Sequence, residues 1–315
     1  MSDGLVVTRR RRAVPGVAVM LLVLLVVFAL VSPGFSTLGN LTNILIQSAF
    51  LLVVALPMTM VILTEGLDLS VGAVASLASM AIAMVALATG SLGAAIGTGL
   101  FVGFIFGAAN GTMIAFLGIP PFVATLGAFG VAQGLSLVMS DGQSVTGIPA
   151  SLSDLYYGAI GPLPLPLVYA GLLYAVFHWL LYRSRFGVAV RALGGNREAL
   201  LLGGRSIQAG LIAVYALSGT MAGFTALLMA GRMSAGHPIA GLGLEFDAIA
   251  AVALGGTRFE RGQGWLVGSL LGVLTISVLR SGITLLSIPA AAQVASVGLM
   301  VIAAMIIDRR RSEAR

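Results

Sequence analysis

Apolar residues in this chain run in blocks of about 17–25, the length of helix that crosses about 30 Å of hydrocarbon. No other feature restricts the fold so strongly. The blocks number about ten, near 13–32, 42–64, 69–89, 92–117, 121–139, 163–182, 207–231, 244–256, 264–280 and 290–307. They predict an all-α polytopic membrane protein, a single transmembrane domain over residues 1–315. Composition agrees: 58% of residues are hydrophobic and 9% charged, where a soluble domain is about half apolar and about a quarter charged. The 42 glycines add a second signal, because small residues let membrane helices approach closely.

The few charges set the orientation. Every basic residue is Arg, and all but Arg232 and Arg280 fall in the two tails or in the connections 65–68, 118–120, 183–206 and 257–263. Basic residues collect on the cytoplasmic side of a membrane protein. The N- and C-termini are therefore expected in the cytoplasm, with basic tails at 1–12 and 308–315. The run Ala13–Val31 is longer than the apolar core of a signal peptide and no small-residue cleavage site follows it, so it reads as an uncleaved first span. The net charge of +6 reflects membrane edges and does not point to nucleic acid.

Absent residues exclude chemistry. With no Cys, disulfides and thiolate metal sites are ruled out. His178 and His237 are too few and too far apart in sequence to suggest a metal site, and no cofactor motif is present. With no Lys, the chain lacks the phosphate-binding lysine of a P-loop, so it is not itself a standard ATPase. No nucleophile–base motif argues for an enzyme.

Two stretches resemble each other in opposite directions. GLDLSVGAVASLA (Gly66–Ala78) opens segment three, and GLEFDAIAAVALG (Gly243–Gly255) opens segment eight, five segments later. Segment four carries Gly99, Gly103, Gly107 and Gly111, and segment nine carries Gly264, Gly268 and Gly272, each series four apart. Segments 2–5 and 7–10 are expected to form an inverted repeat, a transporter arrangement with the pathway at the repeat interface. Segment eight is too short to span as a helix, so a broken or re-entrant helix is expected there.

Acids at the edges of these segments admit two readings. Glu65, Asp68, Glu245 and Asp247 suit helix N-termini, where carboxylates cap and favour the dipole. Acids in a membrane also mark gates and pathways. Asp68, Ser70, Asn110, Gln133, Glu245 and Asp247 are the candidate pathway residues. The amides among them serve equally well as bonds between helices.

The longest inner connection is 183–206. Within it Asn196 is placed as an N-cap, Glu198 lies in the first turn, and Gly203-Gly204 stop a short helix, with Gly194-Gly195 breaking the chain ahead of it. Leu200, Leu201 and Leu202 form an apolar patch rimmed by Arg, suited to a partner or to lipid headgroups.

At these residues the chain resembles the permease subunits of bacterial ABC sugar importers of the ribose/xylose/arabinose type. The matching stretches are LTEGLDLSVGAVASL, NGTMIAFLGIPPFVATLGAFGVAQGLSLV, RFGVAVRALGGNREALLLGGRSI, and GLEFDAIAAVALGGT followed by GQGWLVGSLLG, together spanning about 40–307. The resemblance implies a non-catalytic subunit of the inner membrane. It pairs with a second permease copy and receives a sugar from a periplasmic binding protein. A separate cytoplasmic ATP-binding subunit hydrolyses ATP and docks on the loop carrying ALGGNREA. Gly194, Gly195, Asn196 and Glu198 would belong to that coupling contact, and Asp68 and Ser70 to the family's DLS signature. Arg258-Phe259-Glu260-Arg261 and Glu65 depart from the family pattern. The competing expectation is a secondary transporter driven by an ion gradient, which inverted repeats fit as well.

Overall fold

The computed structural model describes residues 16–259, 262–289, 292–293, 295–300 and 302. Twelve helices follow in order among them: α1 (Gly16–Val31), α2 (Leu38–Leu63), α3 (Val71–Thr89), α4 (Leu92–Phe116), α5 (Pro121–Val138), α6 (Ala150–Tyr157), α7 (Leu165–Tyr182), α8 (Arg185–Gly195), α9 (Arg197–Leu202), α10 (Ile207–Met233), α11 (Leu244–Leu254) and α12 (Leu266–Leu285). Four two-residue strands, β1 (Val145–Thr146), β2 (Ala159–Ile160), β3 (Leu163–Pro164) and β4 (Ala235–Gly236), make two small antiparallel pairs, β1 with β4 and β2 with β3.

Seven of these helices are long and apolar enough to cross a membrane: α2, α3, α4, α5, α7, α10 and α12. They match segments two to seven and nine. Segment one is the shorter apolar helix α1, and segment eight is α11, only 11 residues long. Segment ten lies largely outside the described residues, as do the tails 1–12 and 308–315 and two members of the Arg258–Arg261 turn.

Local chemistry sets the ends. Thr37, Ser91 and Ser206 precede α2, α4 and α10, and their hydroxyls accept from Asn40 N, Ala94 N and Ala209 N at 3.4, 3.3 and 3.1 Å. Pro occupies the first turn of α5 and α7, where its missing N–H is no loss. Gly90 closes α3 in the left-handed conformation at φ 64.

Helices α2, α3 and α10 form the buried centre, and α4, α5 and α7 keep large apolar faces outward. The glycines of α4 explain its tightest contact. A Cβ on Gly103 would strike the carbonyl of Gly219, and one on Gly99, Gly107 or Gly111 would strike Ile82 and Gly223, Tyr215 or Ile212. The backbones of α4 and α10 therefore touch, as small-residue packing in lipid allows. On the other side Gly268 and Gly272 of α12 meet Gly255 and Ala251 of α11. Gly264 lies ahead of α12 and meets Thr257 instead. Neighbours exchange in a regular way: α4 lies on α10 and α12 on α2, α3 on α4 and α11 on α12, α3 on α10 and α11 on α2.

Connections gather at two ends. At one end Gly194 abuts the Leu63 carbonyl and Gly262, Arg197 reaches Glu65, and Gly118 and Ile119 line the same groove as Thr64 and Arg197. At the other, the Tyr157 hydroxyl donates to the Arg232 carbonyl at 2.8 Å and Ser153 pairs with Ser234 at 3.0 Å. The apolar segments leave 232–243 as a connection between segments seven and eight. Most of it runs inward along α3. Gly236 lies on Ser79, Met80 and Ala83, Gly241 lies on Gly72, and α11 starts from there. Gly241 N donates to Ser76 Oγ at 2.8 Å, while Gln133 and Ser136 donate to the Pro238 carbonyl at 3.1 and 3.0 Å. Residues 237–243 thus form an arm, mostly of turns, that leads into α11, the 11-residue helix of segment eight.

Candidate functional site: a buried polar network and a capped surface helix

The turn between α2 and α3 carries two of the predicted pathway residues, Asp68 and Ser70, and brings them to a third, Asn110 of α4. Asp68 Oδ1 accepts from Ser70 N at 3.1 Å and from Ser70 Oγ at 2.7 Å, and its Oδ2 accepts from Ser218 Oγ at 2.8 Å. Asn110 Nδ2 donates to Ser70 Oγ at 2.9 Å. All four side chains are buried. Ser218 is the twelfth residue of α10, about 16 Å along a helix about 40 Å long, which puts the network well inside the bundle. The Leu67 carbonyl alongside accepts from Thr125 at 3.3 Å and Tyr215 at 3.4 Å. The network joins α3, α4 and α10, and Asp68 makes its local turn with the two residues before α3 rather than capping the helix from outside.

The other candidates share no hydrogen bond with it among the described residues. Glu245 Oε1 accepts from Gly243 N at 3.0 Å, a cap for α11, and its buried Oε2 lies against Gly72 with no hydrogen-bond partner among the described residues. Asp247 pairs with Arg280 of α12 at 2.6 Å. Gln133 binds the arm through Pro238. The acids are therefore held by backbone and side chains of this chain. Among the described residues no cluster of His, Asp and Glu could hold a metal ion.

Sequence reasoning missed Ser218, Tyr215 and Ser76, hydroxyls indistinguishable from their neighbours until the fold pairs them. Arg280 carried a readable signal: it is one of only two Arg residues away from the inner connections, inside an otherwise apolar segment.

The surface helix forms as its sequence predicts. Asn196 Oδ1 accepts from Ala199 N at 2.9 Å, Glu198 sits in the first turn, and α9 stops at Gly203. Two details differ. Gly194 and Gly195 complete the last turn of α8 instead of breaking the chain, and Gly194 is buried against Leu63 and Gly262. Leu200 is buried with Ala189, Leu193 and Leu211, while Leu201 and Leu202 are 57% and 85% exposed. On a one-turn helix, neighbours point to different sides. Arg185 and Arg205 flank a groove of about 310 Å³ between α8 and α9, with Val188, Ala192 and Leu200 along it. Glu65, expected near a helix start, instead ends α2 in the left-handed region at φ 64, with its carboxylate 3.9 Å from Arg197.

Seven helices of spanning length around a buried polar network, with an irregular arm and a short helix packed among them, mark a polytopic membrane transport protein. The chain belongs to the family described as the permease component of the branched-chain amino acid transport system, whose model matches residues 40–307. It is 34% identical to the ribose import permease protein of Escherichia coli over 93% of this chain and 92% of that one. It is 32% identical to the D-allose transport system permease protein of the same organism, covering 93% and 91%. To the E. coli galactose/methyl galactoside import permease protein it is 32% identical, covering 93% of each. No solved structure gives a significant match.

Proposed function

We propose that this chain is the membrane-spanning permease subunit of an ATP-driven ABC importer that carries a monosaccharide into a bacterial cell. One observation carries the reading: relatives named for ribose, D-allose and galactose align with more than nine-tenths of the chain. The family description mentions branched-chain amino acids, and the sugar-named relatives favour a sugar.

The protein lies in the inner membrane, with ten crossings and both termini in the cytoplasm. Segments 2–5 and 7–10 form an inverted repeat. The exchange of neighbours supports it, since swapping segments two with seven, three with eight and four with nine maps each helix contact onto another. Chain connections that carry Arg183, Arg185, Arg191, Arg197, Arg205 and Arg258 meet at one end, which supports the orientation. The cytoplasmic ATP-binding subunit docks at that end on α9, through Leu201, Leu202 and Glu198 and the backbone at Gly195 and Asn196. Gly194 and Leu200 hold the helix from below. A periplasmic binding protein delivers the sugar at the opposite end, near α6 and the β2–β3 hairpin, and a second permease copy completes the channel. Asp68, Ser70, Asn110, Gln133, Glu245 and Asp247 shape the pathway chiefly by fixing the helices that line it.

The test is co-expression with the ATP-binding and binding-protein subunits, purification, and reconstitution into vesicles. Labelled ribose, allose, galactose and leucine are then offered with and without ATP. Sugar uptake that needs ATP is expected. Uptake driven by an ion gradient without the ATP-binding subunit would favour a secondary transporter, and leucine uptake would reassign the substrate.

A further inference from the structure

Glu65 occupies a position that backbone chemistry assigns to glycine. It follows α2 in a Schellman turn: Glu65 N donates to the Ile62 carbonyl at 2.9 Å, and Gly66 N donates to the Val61 carbonyl at 3.1 Å. The turn requires a left-handed residue, and Glu65 supplies it at φ 64. A Cβ is disfavoured there, whereas glycine carries no such penalty. Its contact with Arg197 does not repay that penalty in stability. The pair is 3.9 Å apart with side chains 51% and 40% exposed, and ion pairs this open to solvent contribute little. A strained residue that stability does not explain points to function.

The pair connects two parts of the molecule that the chain keeps far apart. Arg197 opens α9, and its Nε donates to the Leu193 carbonyl of α8 at 2.8 Å, which fixes the guanidinium to the corner between the two helices. Glu65 lies three residues ahead of Asp68, which accepts from Ser70 and from Ser218 of α10. Beside the pair a groove of about 220 Å³, lined by Thr64, Gly66, Ile119 and Tyr215, leaves the turn room to shift. Gly194 also abuts the Leu63 carbonyl. Atoms in van der Waals contact resist approach strongly and separation weakly, so that contact can push the end of α2 but hardly pull it. Opposite charges hold in both directions.

We infer that Glu65 and Arg197 are positioning residues that tie α9 to the turn carrying Asp68, so that a displacement of α9 by its partner draws the buried network with it. The inference deepens the permease reading and rests on it for the ATP-binding subunit at α9. Glu65 is among the residues that depart from the sugar-permease pattern, so the tie belongs to this chain.

The full chain is co-purified with its ATP-binding and binding-protein subunits and reconstituted into vesicles. Labelled ribose, allose and galactose taken up per ATP hydrolysed are measured, with Tm and recovery of the ATP-binding subunit alongside. The variants are Glu65→Gln, Arg197→Gln, the two together, and Glu65→Gly, which removes the carboxylate while relieving the backbone. Each single variant is expected to lower sugar moved per ATP about fivefold, with Tm and subunit recovery unchanged. The double variant should be no worse than either single one, as residues that act through each other require. Glu65→Gly should be at least as stable as the wild type and as poorly coupled as Glu65→Gln, and it carries the test should Glu65→Gln unfold. Unchanged sugar per ATP, or losses that multiply in the double variant, would overturn the inference. So would a loss that tracks loss of the ATP-binding subunit, which would make Arg197 a docking residue only. A wild-type complex that moves no sugar on ATP removes the permease reading and the tie with it, whereas ATP-driven uptake in wild type and variants alike removes the tie alone.

Discussion

Ser218 donates to Asp68 at 2.8 Å, joining the middle of α10 to the turn ahead of α3 across 150 positions of sequence. Asp68 gathers three donors, from Ser70 N, Ser70 Oγ and Ser218 Oγ. Asp68→Ala would leave two buried hydroxyls without their acceptor, at about 1–3 kcal/mol for each group stranded. Asp68→Asn retains one acceptor oxygen in the same shape. Thermal unfolding in detergent is expected to give a clearly lower Tm for Asp68→Ala than for Asp68→Asn. Equal Tm values would mean that the network does not hold the helices together.

The glycine contact gives a second prediction. At Gly103 a Cβ would fall on the Gly219 carbonyl, whereas at Gly127 of α5 it would meet nothing within 4 Å. Gly103→Val forces α4 and α10 apart and should cost about 1–3 kcal/mol or more, as overpacking does. Gly127→Ala should be neutral or stabilising, by up to about 1 kcal/mol, because Ala favours helix over Gly. Comparing melting curves of the two variants checks this, and a stable Gly103→Val would refute backbone contact between the helices.

These two cases also divide what was legible in the sequence from what was not. The Gly99–Gly111 periodicity shows directly that α4 has a smooth face, and long apolar runs place α2 to α5, α7, α10 and α12 within a few residues. The Asn196 cap and the Gly203 stop are local chemistry, and both were readable. Ser218 was not, because nothing within its own helix distinguishes it from Thr220 or Thr225; its role depends on a turn 150 residues away. The course of the arm was not legible, because Gly, His and Pro around 236–238 are residues equally at home in a surface loop. Only packing on α3 reveals that this stretch descends into the bundle. Leu200 was read with Leu201 and Leu202 because a run of leucines does not say which one faces inward.

The leucines should accordingly separate into two phenotypes. Leu202→Asp alters a side chain 85% exposed on α9, so folding should be unaffected while ATP-dependent uptake and recovery of the ATP-binding subunit fall sharply. Leu200→Asp puts a carboxylate into the cluster with Ala189, Leu193 and Leu211 and should destabilise the packing of α8 and α9 on α10 by about 2–5 kcal/mol. Co-purification and thermal unfolding on both variants distinguish the cases. Normal uptake by Leu202→Asp would remove α9 from the docking surface.

The last prediction concerns the other charge inside the bundle. Arg280 Nη2 meets Asp247 Oδ1 at 2.6 Å, with their side chains 34% and 10% exposed. The acid is the more deeply buried partner, so the two single substitutions should not cost the same. Arg280→Gln leaves a nearly buried carboxylate beside the first turn of α11 without its cation. Asp247→Asn leaves a guanidinium that still reaches solvent. Removing one partner of a fully buried pair costs about 3–5 kcal/mol, and the exposure of Arg280 reduces this to about 1–3 kcal/mol here. Arg280→Gln should therefore lower Tm more than Asp247→Asn. The double variant Arg280→Gln with Asp247→Asn should recover part of the loss, because neutral amides in both positions strand no charge. A double-mutant cycle measured by unfolding tests the coupling directly. If the two single losses simply add, Arg280 and Asp247 do not interact in the folded protein, and the junction of α11 with α12 rests on the Gly268 and Gly272 contacts alone.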